Sequence, residues 1–118
     1  MVKRTLGCLD DVRSFLDDIF VGDMHAKRIE SLANGTLGIL NSASLAVHAI
    51  GLGLANARGL VTKHAVKQVD RLIGNAGVDV WDCFAHWVPY LVAERPSIQV
   101  AMDWTDFDDD GNCIIECL

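Results

Sequence analysis

Apolar residues recur at helical spacing over the first ninety residues and then change period. Leu9, Val12, Phe15, Leu16 and Ile19 share one face, with Asp10, Asp11, Arg13, Asp17 and Asp18 on the other, so residues 8–20 are expected to form an amphipathic helix. Asp23 is placed to cap a second helix carrying Ile29, Leu32, Leu37 and Leu40, with Lys27, Arg28 and Glu30 on its wet side. Ser42 or Ser44 is placed to cap a third, built from Leu45, Ala46, Ala49, Ile50 and Leu52, in which Gly51 and Gly53 cost about 1 kcal/mol each unless they permit close helix contact. A fourth helix runs from Thr62 to Ile73 and stops at Gly74-Asn75. Asp79 is placed to cap a fifth, whose apolar stripe is Val80, Cys83, Phe84, Trp87, Val88 and Leu91, with Pro89 as a point of kinking.

After Arg95-Pro96 the helical period is lost. Residues 97–104 and 113–118 are short apolar runs separated by the turn-forming Asp106-Phe107-Asp108-Asp109-Asp110-Gly111-Asn112, the pattern of two antiparallel strands. The expected fold class is therefore mainly α: a bundle of about five helices over residues 1–95, followed by a hairpin in 96–118. No internal repeat or low-complexity segment interrupts it.

Charge changes this picture locally. The 118 residues carry a net charge of -6, yet residues 55–75 hold four basic side chains against one acidic, and residues 76–118 hold one basic against nine acidic. A basic island thus lies inside an acidic chain, which argues against nucleic-acid binding over the whole surface and leaves room for a local stripe. Hydrophobic residues make up 51% of the chain, enough to pack one globular domain. Gly35 to Ala57 has no charged residue, but Asn41, Ser42, Ser44, His48 and Asn56 interrupt it, so two buried helices are expected there and no membrane span. The Asp10-Asp11 pair follows the N-terminus where a secretory signal would have its apolar core, and Cys8, Cys83, Cys113 and Cys117 make no C-x-x-C pair. Reduced thiols and a cytoplasmic location are the corresponding expectations.

Two constellations carry candidate chemistry. Lys63, Lys67 and Arg71 are four residues apart and line one face of the fourth helix, opposite Ala65, Val66, Val69, Leu72 and Ile73. With Arg58, His64 and Gln68 nearby, such a face is either simply solvated or able to lie along a phosphate backbone and reach base edges. The short turn Asn56-Ala57-Arg58-Gly59 before it gives the third and fourth helices a helix-turn-helix grammar. The second constellation is Val100-Ala101-Met102-Asp103-Trp104-Thr105-Asp106-Phe107, where Asp103 emerges at the end of an apolar run. A carboxylate there either caps the next turn or serves chemistry, because burying it unpaired is costly.

The string Thr62-Lys63-His64-Ala65-Val66-Lys67-Gln68-Val69-Asp70-Arg71-Leu72-Ile73-Gly74-Asn75, followed about twenty-five residues on by Val100-Ala101-Met102-Asp103-Trp104-Thr105-Asp106, resembles the N-terminal third of bacterial cut-and-paste insertion-sequence transposases of the DDE type. The resemblance extends over most of the chain from about Ile29 onward. It implies that the helical segment contacts double-stranded DNA at the transposon ends. It also implies that residues 96–118 begin a ribonuclease-H-like α/β domain, and that Asp103 is the first of three catalytic, metal-binding carboxylates. In that family the carboxylates hold two Mg²⁺ ions that activate the nucleophile and stabilise the leaving oxygen. Gln68 departs from the pattern, since relatives often carry a basic residue there. The second Asp and the Glu have no counterpart in this sequence, so it is expected to be inactive by itself.

Other motifs have plainer readings. Asp106-x-Asp108-x-Asp110-Gly111 copies the opening of an EF-hand loop, but its twelfth position is Cys117 where a bidentate acid is needed, so a hairpin turn is expected. Cys113 and Cys117 lack the further ligands a zinc site requires. His48, Trp81 and Trp87 are expected in the core, and Trp104 over the sheet edge. Ile114, Ile115 and Leu118 on an unpaired final strand would favour a homodimer or aggregation.

Overall fold

The computed structural model describes residues 7–20, 22–106 and 113–117. Among these residues the helices are α1 (Leu9–Ile19), α2 (Ala26–Ser42), α3 (Val47–Arg58), α4 (Thr62–Ile73) and α5 (Val80–Val92). They are followed by two short backbone segments, β1 (Met102–Asp106) and β2 (Cys113–Cys117), paired antiparallel from Met102 opposite Cys117 to Asp106 opposite Cys113. The architecture established by packed side chains is mainly helical.

Helix α2 is the hub, packing on α1, α3 and α4, while α3 also packs on α4 and α5 chiefly on α1. The core is formed by Val12, Leu16 and Phe20 from α1 and its end, Ile29, Ala33 and Leu37 from α2, Ile50, Leu54 and Ala55 from α3, and Ala65 and Val69 from α4. Small residues set how closely these helices approach. A Cβ at Gly38 would lie 2.5 Å from the Ile50 carbonyl oxygen, one at Gly53 would lie 2.5 Å from the Gly38 carbonyl oxygen, and one at Gly51 would lie 2.5 Å from Val66 Cα. Gly51 and Gly53 are therefore contact glycines, joining α3 backbone-to-backbone to α4 on one side and α2 on the other.

Side-chain caps start α2 and α5, and at α2 and α3 the structure corrects the sequence reading. His25, not Asp23, caps α2: its Nδ1 accepts the Lys27 backbone N–H at 3.2 Å. Ala46 occupies the N-cap of α3 without a side-chain cap, and Ser44 acts two residues earlier by accepting the Ala46 N–H at 3.1 Å. Asp79 caps α5 as expected, accepting from the N–H groups of Trp81 and Asp82 at 2.8 and 3.2 Å. Helix α3 ends on Gly59 at φ +67°, a left-handed conformation that favours glycine, and this turns the chain into α4 after only Leu60 and Val61. Helix α5 continues through Pro89 to Val92.

The chargeless stretch is split as expected, with α2 ending at Ser42 and α3 starting at Val47. Among the described residues no single helix is long and apolar enough to cross a membrane; α2 and α3 together have the composition, but they meet at a 95° bend.

Several expected core positions are not in the core. His48 is exposed on α3 and Ile73 is exposed at the last turn of α4. Trp81 is 79% exposed, and Trp87 is half-buried. The reason is the same for the stripe of α5. Only its Cys83, His86, Trp87, Tyr90 side meets α1, where Phe15 packs edge-on to Trp87 and Tyr90 at centroid distances of 6.2 and 5.4 Å. Val80, Trp81, Phe84, Val88 and Leu91 lie on the other side and stay exposed.

Candidate nucleic-acid interface

Helix α4 forms where its sequence period places it, because Ala65 and Val69 are buried and Val66 and Leu72 are half-buried against α3 and α2. That packing fixes the opposite face. Lys63, His64, Lys67, Gln68 and Arg71 are all exposed on it, with Asp70 as the one carboxylate of the helix. Lys63, Lys67 and Arg71 form no ion pair among the described residues, so their charge is uncompensated by a contacting acid and available to an anionic partner.

Arg58, the remaining basic candidate, is used differently. Its guanidinium donates to Asn34 Oδ1 at 2.8 Å, tying the end of α3 to the middle of α2. The bond orients both partners: guanidinium has only donors, so the oxygen of the Asn34 amide must face it. Asn34 is 8% exposed, the one buried polar residue among those described.

Between α2 and α4 lies a groove of about 410 Å³, into which Lys27, Glu30 and Asn34 project from α2 and Gln68, Arg71 and Asn75 from α4 and its end. The site residues thus divide. Lys63, His64 and Lys67 stand on the open face, Gln68 and Arg71 border both that face and the groove, and Arg58 supports the groove from behind. Sequence reasoning missed the contribution of α2. The signal was present, since Lys27, Ser31 and Asn34 recur at helical spacing as a polar stripe beside the apolar one.

A second cluster joins α5 to the segment before α2. His86 Nε2 donates to Asp23 Oδ2 at 2.6 Å and His86 Nδ1 donates to the Asp82 carbonyl at 2.9 Å. The Asp82 carbonyl can only accept, so Nδ1 carries a proton, and the Asp23 carboxylate at Nε2 favours the doubly protonated ring. Its pKa is raised by the Asp82 carbonyl first and the Asp23 hydrogen bond second. Neighbouring Cys83 has its thiol pushed up by burial, then by the Asp79 and Asp82 carboxylates. A thiol held protonated in this way is a poor nucleophile, so the cluster reads as a structural clamp.

Asp103 falls on the second residue of β1, its Cα opposite that of Glu116. Its side chain lies outside the described residues, as do the side chains of Trp104, Cys113, Ile114, Ile115 and Cys117; Asp108 to Gly111 and Leu118 lie outside them entirely. Among the described residues no three His, Cys, Asp or Glu side chains gather into a group able to hold a metal ion.

Compared with protein-family models, with curated proteins and with solved structures, the chain matches none.

Proposed function

We propose that this chain is the N-terminal portion of a DDE transposase, a cytoplasmic protein acting in DNA transposition, whose helical segment binds double-stranded DNA at the transposon ends. The observation that carries the reading is the exposed face of α4, where Lys63, Lys67 and Arg71 stand free of acidic partners beside His64 and Gln68 on a helix anchored by Ala65 and Val69. Three cations at four-residue spacing extend over roughly 12 Å of helix axis, a length that follows several successive phosphates of a duplex strand. The short Gly59-Leu60-Val61 connection between α3 and α4 supports a helix-turn-helix mode of docking. On this reading residues 96–118 start the ribonuclease-H-like domain and Asp103 supplies its first metal-binding carboxylate, by resemblance to the family motif.

The test is duplex binding by fluorescence anisotropy across a salt series. The logarithm of affinity should fall linearly with that of salt, and each of Lys63→Ala, Lys67→Ala and Arg71→Ala should lower the slope by about one unit while weakening binding at low salt. Absence of duplex binding at low salt removes the reading. Catalysis by this chain alone is not expected, because a two-metal site needs more carboxylates than Asp103 provides. Mg²⁺-dependent nicking by the pure 118-residue protein, lost in Asp103→Ala, would overturn that expectation.

A second reading, a non-enzymatic helical DNA-binding or protein-interaction module, is favoured by one observation: the exposed apolar side of α5, with Trp81 and Phe84 in ring contact at 5.8 Å. Contiguous exposed apolar surface of this kind marks interaction sites. Self-association through the C-terminal strand belongs to the same proposal and is tested by sedimentation of the wild type against a chain ending at residue 112.

A further inference from the structure

The side of α5 turned away from α1 carries Val80, Trp81, Phe84, Val88 and Leu91, each between 44% and 79% exposed. Trp81, Phe84, Val88 and Leu91 follow one another at steps of three, four and three residues, the spacing of the apolar seam by which two helices pair. No charged residue falls on that seam, but charges mark both ends of the helix. Asp79 and Asp82 lie at its start, and Glu94 and Arg95 lie just past its end at Val92, all exposed or capping. At these exposures the five apolar residues offer about 500 Å² per copy, so two such faces would bury on the order of 1,000 Å², the size at which a specific interface begins.

The seam complements itself when it is reversed. In an antiparallel pair centred at the level of His86, Trp81 lies opposite Leu91 and Phe84 opposite Val88, so each aromatic ring meets a smaller aliphatic side chain. The same reversal brings Arg95 toward Asp79 and Asp82 of the second copy. A parallel pair would set Trp81 on Trp81 and hold the two acidic starts side by side, which like charge opposes. A lipid surface fits less well, because helices that lie in a membrane interface flank the apolar face with Lys and Arg, and residues 79–94 contain neither. We propose that the exposed face of α5 binds the same face of a second copy of this chain, the two helices running antiparallel across a two-fold axis. This pairing rests on the protein-interaction reading of α5 given above and is independent of DNA binding.

Sedimentation equilibrium of the full 118-residue chain tests it and should show a concentration-dependent dimer of twice the 12.9 kDa chain mass. Trp81→Glu and Leu91→Lys should each weaken the dimer by about tenfold or more. Helicity by circular dichroism should stay unchanged in both, because neither side chain is buried in the core. The Trp81→Glu/Leu91→Lys double variant should dimerise about tenfold more tightly than either single variant, since the antiparallel register sets the introduced charges opposite each other. A double variant weaker than both would overturn that register. A dimer unaffected by Trp81→Glu overturns the pairing, and its loss in a chain ending at residue 112 would assign the contact to the C-terminal strand. A monomer at every concentration up to about 1 mM also overturns the pairing. Pelleting of that monomer with phosphatidylcholine vesicles would remove the protein-interaction reading as well, whereas no pelleting would leave that reading to a different protein.

Discussion

At the scale of single residues, the close helix contacts rest on glycine. Gly51→Ala adds a methyl group 2.5 Å from Val66 Cα, where backbone must move. Alanine gains up to about 1 kcal/mol in helix propensity, but overpacking against backbone costs about 1–3 kcal/mol, so the substitution should destabilise the fold. Urea unfolding reads this as a lower midpoint, and a midpoint at or above that of the wild type would show that α3 and α4 are not held at this distance. Ser42 offers the opposite sign. Its buried hydroxyl has no hydrogen-bond partner, so Ser42→Ala removes an unmatched group in a helix and should stabilise by about 1 kcal/mol in the same measurement. A destabilised Ser42→Ala would mean that the hydroxyl is satisfied in solution. Neither effect is visible in the one-dimensional pattern. It marked Gly51 and Gly53 as weak helix formers or contact points and could not decide between them, since the deciding atom belongs to Val66 or Gly38 on another helix.

At the scale of elements, α4 and α5 respond to different variables. The exposed face of α4 is a matter of salt, whereas the hold of α5 on the rest is a matter of pH. His86 is bonded to Asp23 and to the Asp82 carbonyl, and its pKa is raised from the ordinary 6.5 by both. A raised folded-state pKa means that the native state binds the proton more tightly than the unfolded chain. The stabilisation is therefore complete below pH 6.5 and is lost as pH rises through the raised value. Asp79, Asp82, Arg28 and Cys83 border the same small cavity of about 90 Å³. Asp82 and Asp23 both favour the protonated ring. Intrinsic tryptophan emission, to which Trp81 and Trp87 of α5 contribute beside Trp104, should shift with pH in the wild type over that range, and His86→Asn should flatten the profile. An unchanged profile in the variant would rule out His86 as the group responsible. The bounds of α4 were legible because the apolar period, the stop at Gly74-Asn75 and the charged face coincide. The apolar side of α5 was legible as a stripe but not as an exposed one, because helical period says which residues face together and not whether another element covers them.

Across the whole molecule, α2 touches three helices and α5 leans on one, so cooperativity is uneven. Helix α5 has no fully buried residue, and its contacts run chiefly to α1 through Phe15, Phe20 and the His86 clamp. Native-state hydrogen exchange should therefore find its amides opening at lower free energy than those of α3, which buries Ile50, Leu54 and Ala55 and meets both α2 and α4. Equal protection in the two helices would mean that the bundle opens only as one unit. The net charge of -6 also acts at this scale: general repulsion of a polyanion opposes the local attraction of the α4 face, and because salt screens both, the repulsion lessens the fall of affinity with ionic strength.

The sequence by itself determined what depends on near neighbours along the chain: a mainly helical fold, the ends of α1 and α4, the start of α5 at its Asp79 cap, the break between α2 and α3 and the basic face of α4. Periodicity, capping and turn chemistry are short-range, so they can be read without the fold. Tertiary structure alone decided which glycines are contact points, which side of α5 is left bare, that His48 and Trp81 are outside the core, and that Arg58 holds Asn34. It alone brought Lys27, Glu30 and Asn34 of α2 opposite Gln68 and Arg71 of α4. Those pairings join residues dozens of positions apart, and only the packing of helix on helix sets their distance.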